Sequence, residues 1–256
     1  MCLVLIASNP LPGLRLAVAA NRDEFHARPT APAAPWPDFP GLVAGRDLAA
    51  GGAWLGVTED GRIAALTNFR DGMAAKRERS RGEVVVEALL DERGESGFLA
   101  GLRGRLDRYG GFNLVLGRPG SLRLFSSRTG KSEPIPPGVH GLSNHDLDTL
   151  WPKVTATTGA LSRLAASSRP FEAEALFEIL SDRTTAPDRD LPDTGVGLAL
   201  ERFLSAPFIV GPEYGTRSST VVLFRSNGET ELVERTFDPR GRETGTVSWR
   251  LGRAPG

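Results

Sequence analysis

Apolar positions along the chain fall into short runs separated by turn signals. Residues 2–8 and 14–20 are two such runs, and Asn9-Pro10-Leu11-Pro12-Gly13 between them is a strong turn signal, so they read as a hairpin. The second run partly alternates, as a strand buried mainly on one face does. Four polar residues, Asn21-Arg22-Asp23-Glu24, follow it directly, and the hairpin returns them to the side of residue 2. Residues 27–40 hold five prolines and are expected to form an ordered loop or lid rather than regular sheet or helix. Residues 51–57 and 62–68 then flank Asp60-Gly61, a favoured hairpin turn, and this second hairpin also ends in polar residues, Asn68 and Arg70.

The period changes after residue 80. Ser80 followed three residues later by Glu83, just before Val84-Val85-Val86, is a capping box and predicts a helix start. A short helical segment is expected around 96–107. Residues 109–116 and 122–126 read as a strand pair around Pro119-Gly120, and residues 138–146 as a short polar segment. Residues 149–182 are helical in pattern with a break at Arg169-Pro170, residues 183–200 read as loop, and residues 207–249 are again strand-rich. Hairpins at both ends around a helical middle predict an α+β fold of largely antiparallel sheets. The last strands are expected to pair with the first, making residues 1–256 a single domain.

Composition narrows the function classes. Hydrophobic content of 40% and charged content of 24% are ordinary for a globular protein, and 31 basic residues balance 31 acidic ones. A zero net charge argues against a general nucleic-acid or membrane-surface binder. The run from Leu3 to Ala7 is too short for a signal peptide, and no stretch approaches a membrane span. A cytoplasmic protein without an integral membrane segment is the expectation. Cys2 is the one cysteine, which excludes an internal disulfide and a cysteine-rich metal site.

Common catalytic motifs are missing. Gly141-Leu142-Ser143-Asn144-His145 lacks the second glycine of a nucleophile elbow. Gly130-Lys131-Ser132 has Phe125 where a P-loop needs its first glycine, and Gly195-Val196-Gly197 lacks the third glycine of a dinucleotide fingerprint. Neither a metal nor a cofactor is expected.

Cys2 itself suggests another route. Removal of Met1 before a small residue would leave a thiol and a free α-amine on one residue. Such an amine has a pKa of about 7.7–8.0, so it can act as the thiol's own base. That chemistry needs a carboxylate to orient the amine and neutral donors for an oxyanion. Asp23, Asn68, Asn144 and Arg217 lie at strand ends or loops and are candidates. Each has an ordinary role open to it as well: a turn residue for the asparagines, a solvated strand end for Arg22 and Arg217, a small buried hydrophobe for Cys2.

The ordered set Asn21-Arg22-Asp23-Glu24, Gly51-Gly52-Ala53-Trp54-Leu55-Gly56, Thr67-Asn68-Phe69-Arg70, His140-Gly141-Leu142-Ser143-Asn144 and Tyr214-Gly215-Thr216-Arg217-Ser218-Ser219-Thr220 resembles the NRDE family, the relatives of the transport and Golgi organisation protein. That family is similar to the N-terminal nucleophile hydrolases, which implies a four-layer αββα sandwich. By resemblance, Cys2 carries the nucleophile and Asp23 orients the amine. Asn68 and Asn144 match the oxyanion and amine-positioning asparagines, and Arg217 the later arginine. The amidases of that fold place an early arginine three residues before the aspartate, where this chain has Ala20; Arg22, immediately before Asp23, is the candidate here. The implied function is a cysteine hydrolase or acyltransferase acting on a linear amide or thioester of a small-molecule acyl substrate. The alternative is a carrier of a hydrophobic ligand such as haem or a fatty acyl group, with Trp36 and Phe39 of the proline-rich loop covering its pocket. The oligomeric state is left open.

Overall fold

The computed structural model describes residues 2–70 and 77–252. Met1, whose removal is expected, lies outside them, and Cys2 is described through its backbone pairing. The first two apolar runs are β1 (Cys2–Leu11) and β2 (Leu14–Phe25), joined as the predicted hairpin. β2 continues through the polar quartet, so Cys2 lies directly across from Arg22, and Val4 across from Ala20.

The proline-rich stretch corrects the expectation drawn from it. It contains β3 (Thr30–Pro35), an edge strand paired with β4 (Leu42–Asp47) through a register shift between Ala31 and Ala34. Proline cannot donate to a ladder, but an edge strand leaves one side unpaired and so tolerates it. β5 (Leu55–Thr58) and β6 (Ile63–Asn68) form the hairpin around Asp60-Gly61.

α1 (Arg81–Leu90) begins at the predicted capping box: the Ser80 hydroxyl accepts from the Gly82 N–H at 3.3 Å, and Glu83 accepts from the Ser80 N–H at 2.9 Å. α2 (Gly94–Arg103) follows, then β7 (Phe112–Gly117), β8 (Arg123–Ser126), β9 (Ser132–Pro134) and β10 (Val139–Leu142). The helical middle divides at Arg169-Pro170 into α3 (Pro152–Ala165) and α4 (Ala173–Leu180). A short helix, α5 (Leu198–Phe203), occupies the end of the stretch read as loop. The chain closes with β11 (Tyr214–Arg225), β12 (Thr230–Phe237) and β13 (Glu243–Leu251).

Among the described residues these strands make two antiparallel sheets, in the orders β10-β1-β2-β11-β12-β13 and β3-β4-β5-β6-β7-β8-β9. β11 beside β2 joins the end of the chain to its beginning, as the sequence predicts. Alternation then builds three apolar layers. Val4, Ile6, Val18 and Val222 meet Val43, Val57 and Val115 between the sheets. Ala64, Leu114 and Leu116 pack under Val84, Val85 and Leu89 of α1 and Phe98 of α2. Leu3, Leu5, Ala19 and Val221 pack under Val154 of α3 and Leu176 and Leu180 of α4. Helices, sheet, sheet, helices is the αββα order expected.

Trp36 belongs to the layer under α1, where its indole N–H donates to the Ala44 carbonyl at 2.9 Å. It is core, with Phe39 tilted against it at 6.1 Å, rather than the cover of a ligand pocket.

The start of α1 reaches the β4–β5 loop through two glycines. A Cβ on Gly52 would lie 2.4 Å from the Gly82 carbonyl carbon, and the Ala53 N–H donates to the Gly82 oxygen at 3.1 Å. Gly52→Ala must therefore displace the helix start. We expect it to lower unfolding stability by about 1–3 kcal/mol, read as a lower urea midpoint; a wild-type midpoint would contradict the backbone contact.

Candidate active site

The polar end of β2 divides between two faces. Asn21 and Asp23 point to the helical layer. The Asn21 amide donates to the Leu180 and Pro207 carbonyls, each at 2.9 Å, and its oxygen accepts from Ser219 at 2.6 Å. Buried Asp23 accepts from the Thr216 hydroxyl at 2.7 Å, and Thr216 accepts in turn from the Ile209 N–H at 2.9 Å. Arg22 points between the sheets, its guanidinium 4.4 Å from the Trp54 ring centroid and 3.2 Å from the Thr30 hydroxyl. Asp47 and Glu24 lie 3.8 and 3.9 Å from it, beyond hydrogen-bond distance.

Asn68 ends β6, and its neighbours fix it. Its carbonyl accepts from the Asn144 side-chain amide at 2.8 Å, the Asn144 oxygen accepts from Ser143 at 3.2 Å, and the Arg70 N–H donates to the Asn144 carbonyl at 2.9 Å. These bonds stitch the segment after β10 to the end of the second sheet.

A cavity of about 550 Å³ opens between the two sheet ends. Arg22, Asp23, Glu24, Trp54 and Asn68 line it on the strand side, and Ser80 to Glu83 at the start of α1 form the opposite wall. Five arginines and five acidic residues contribute to the lining, so its occupant meets charge nearly everywhere. Several of these charges are already engaged: Arg28 with Asp47 at 2.7 Å, Glu78 with Arg108 at 2.7 Å, and Arg79 with Glu83 and Glu87.

Arg22, Asp23 and Asn68 thus share one cavity at the strand position paired with Cys2, and Asn144 sits directly behind Asn68. Arg217 stands apart. It is the extra residue where the β11–β2 register shifts, and it donates to the carbonyls of Phe25, His26 and Arg28 at 2.9, 3.1 and 3.1 Å. It therefore clamps the turn between β2 and β3.

Burial dominates the electrostatics. It pushes the Asp23 carboxyl up, against the lowering pull of the Lys153 charge above all, the Thr216 hydrogen bond and Arg70. Arg70 forms a buried ion pair with Glu201 at 2.6 Å and lies 4.8 Å from the Trp151 ring centroid. Burial also pushes Glu234 up to about 7, although it accepts from the Thr220 hydroxyl and the Ala33 N–H, both at 2.7 Å, and feels the charge of Arg22. Glu234 was missed in the sequence although a signal existed. It occupies the third buried position of the alternation Thr230, Leu232, Glu234, where a carboxylate is out of place. Trp54 and Thr216 lie inside recognisable motifs, but nothing in their spacing joins them to β2.

The family description "Transport and Golgi organisation 2" matches residues 1–239. The chain belongs to this family. The Bos taurus Transport and Golgi organization protein 2 homolog is 30% identical, covering 98% of this chain and 99% of that one. The Homo sapiens homolog is also 30% identical, with 93% of each chain covered. The Drosophila melanogaster protein is 26% identical over 94% of this chain and 95% of its own.

Two solved structures share the fold of this Transport and Golgi organisation 2 family member. The Caenorhabditis elegans ortholog of N-acylethanolamine-hydrolyzing acid amidase superposes with a TM-score of 0.52 at 12% identity, covering 87% of this chain and 92% of that one. A mutant conjugated bile acid hydrolase from Clostridium perfringens gives a TM-score of 0.55 at 9% identity, covering 97% and 92%. The fold is that of the N-terminal nucleophile hydrolases. Among the described residues, no helix is long and apolar enough to cross a membrane.

Glu234 makes stability depend on pH in a definite direction. Its folded value of about 7 lies above its ordinary value of 4.5, so the folded state binds the extra proton between those values and loses that advantage as pH rises. Wild-type unfolding free energy is expected to fall by about 3 kcal/mol from pH 4.5 to above 7 through this group, and Glu234→Gln is expected to flatten that slope. Parallel urea-unfolding curves for the two proteins across this range would contradict the reading.

Proposed function

We propose that this protein is an N-terminal cysteine hydrolase or acyltransferase acting on a polar linear amide or thioester. The observation that supports it most is the shared cavity of Arg22, Asp23 and Asn68 at the strand position paired with Cys2. The fold adds support, because its solved relatives include an acid amidase and a bile acid hydrolase.

In this reading, removal of Met1 exposes the Cys2 amine. The amine takes the thiol proton as sulfur bonds to the acyl carbon, and Asp23 holds the amine in place. The Asn68 amide donates to the oxyanion, and Asn144 keeps the Asn68 backbone where that donation needs it. The amine then passes its proton to the departing nitrogen or sulfur as the acyl bond breaks. Water, or an acceptor amine, attacks the thioester and releases Cys2. Arg22, held over Trp54 with its acidic neighbours beyond hydrogen-bond distance, can meet a negative group on the substrate.

The cavity lining also bears on the carrier reading. A haem macrocycle or fatty chain buried against ten ionisable side chains would strip them of water without replacing it. Trp36, expected to cover such a ligand, lies in the core.

Incubation of the processed chain with p-nitrophenyl acetate is expected to add one acetyl mass to the protein, absent in Cys2→Ala. Asn68→Ala is expected to slow this acylation by about 10²–10³-fold. An adduct of equal yield in Cys2→Ala would refute the assignment of the nucleophile.

A further inference from the structure

Arg70 lies two residues beyond Asn68 and is buried together with the carboxylate it meets. Its guanidinium bonds Glu201 of α5 at 2.6 Å, and the two side chains are only 4% and 3% exposed. The other Glu201 oxygen accepts from the Thr194 N–H at 2.8 Å and from the Thr194 hydroxyl at 2.6 Å. Glu201 is therefore fixed from its own side as well as by Arg70. An ion pair taken out of water is a poor source of stability, because apolar residues of the same volume often serve as well. What such a pair supplies is direction: a short charge-assisted bond holds the guanidinium in one place.

That place matters because Arg70 touches the segment after β10 twice. Its N–H donates to the Asn144 carbonyl at 2.9 Å, and its guanidinium lies 4.8 Å from the ring centroid of Trp151, which precedes α3. Trp151 in turn lies 5.9 Å from the His145 ring. The Asn113 side chain of β7 donates to the His145 carbonyl at 2.6 Å, so the residue after Asn144 is held from the second sheet too. Asn144 then donates to the Asn68 carbonyl at 2.8 Å. The connections close a ring: Asn68 to Arg70 along the chain, Arg70 to Asn144 through the backbone, and Asn144 back to Asn68 through its amide. Glu201 meets this ring at the Arg70 guanidinium.

We propose that Glu201, acting through Arg70, is a positioning residue that fixes the Asn68–Asn144 pair. Its effect on the reaction rests on Asn68 being the oxyanion donor. The mechanical link does not.

The link is tested on the full chain by hydrogen–deuterium exchange, followed by NMR at the amide of position 70. Wild type is compared with Glu201→Met and with the double variant Arg70→Met/Glu201→Met. Exchange at position 70 is expected to be at least about ten-fold faster in both variants, with the amides of β1 and β2 unchanged. Wild-type exchange at position 70 in a folded variant overturns the proposal. If Glu201→Met does not fold, the double variant, which leaves no unpaired charge buried, supplies the same comparison.

The limiting acylation rate with p-nitrophenyl acetate and the concentration that half-saturates it are then measured. A misplaced donor costs rate rather than binding, so the double variant is expected to lose at least about ten-fold in rate with half-saturation unchanged. A double variant as stable to urea as wild type and equally fast overturns the positioning role. If the wild-type protein shows no acylation, the hydrolase reading fails and the positioning role fails with it, while exchange at position 70 still decides the link to Glu201.

Discussion

Four consecutive polar residues at the end of a buried strand are the constraint on which the site depends. A carboxylate or guanidinium taken out of water is tolerated only with partners, and β2 carries both in adjacent positions, Arg22 and Asp23. Alternation sends them to opposite faces, so each must be satisfied by a different part of the chain. Arg22 takes the Trp54 ring and Thr30 from the second sheet. Asp23 takes Thr216 from β11 and the electrostatic pull of Lys153 from α3. The sandwich closes around this strand end because its polar groups find their partners in no single neighbouring element.

The same constraint explains the character of the cavity. The solved structures with this fold are named as an acid amidase and a bile acid hydrolase, but identities of 12% and 9% carry only the architecture. What this chain offers at the corresponding strand ends is a wall of arginines and carboxylates partly neutralised by one another. Such a wall favours an occupant that brings charge or hydrogen bonds of its own, and it disfavours one that is apolar throughout.

Much of the fold was legible in the sequence because local signals govern it. Turn chemistry at Asp60-Gly61, the Ser80–Glu83 capping box and the break at Arg169-Pro170 each act within a few residues, and the structure follows all three. β3 was not legible, because its prolines argue against a strand unless the strand is known to lie at an edge. The site divides in the same way. Asp23 and Asn68 stand near the ends of strands in opposite sheets that meet at one cavity, and Asn144 bonds the Asn68 carbonyl from the segment after β10. Arg217 is diverted by a bulge whose single extra residue turns its side chain to three backbone carbonyls. The partnership of Arg70 with Glu201 joins residues 131 positions apart, and no periodicity in one chain encodes such a distance.

The proposed chemistry requires a free N-terminal cysteine at the strand position opposite Arg22, because its thiol attacks the acyl carbon and its amine carries the proton. The intact mass of protein purified from cells without an N-terminal tag tests this most directly. The predicted mass is that of the chain beginning at Cys2 with an unmodified amine. A mass that retains Met1 would contradict the claim, because the nitrogen of Cys2 would then be an amide and could accept no proton.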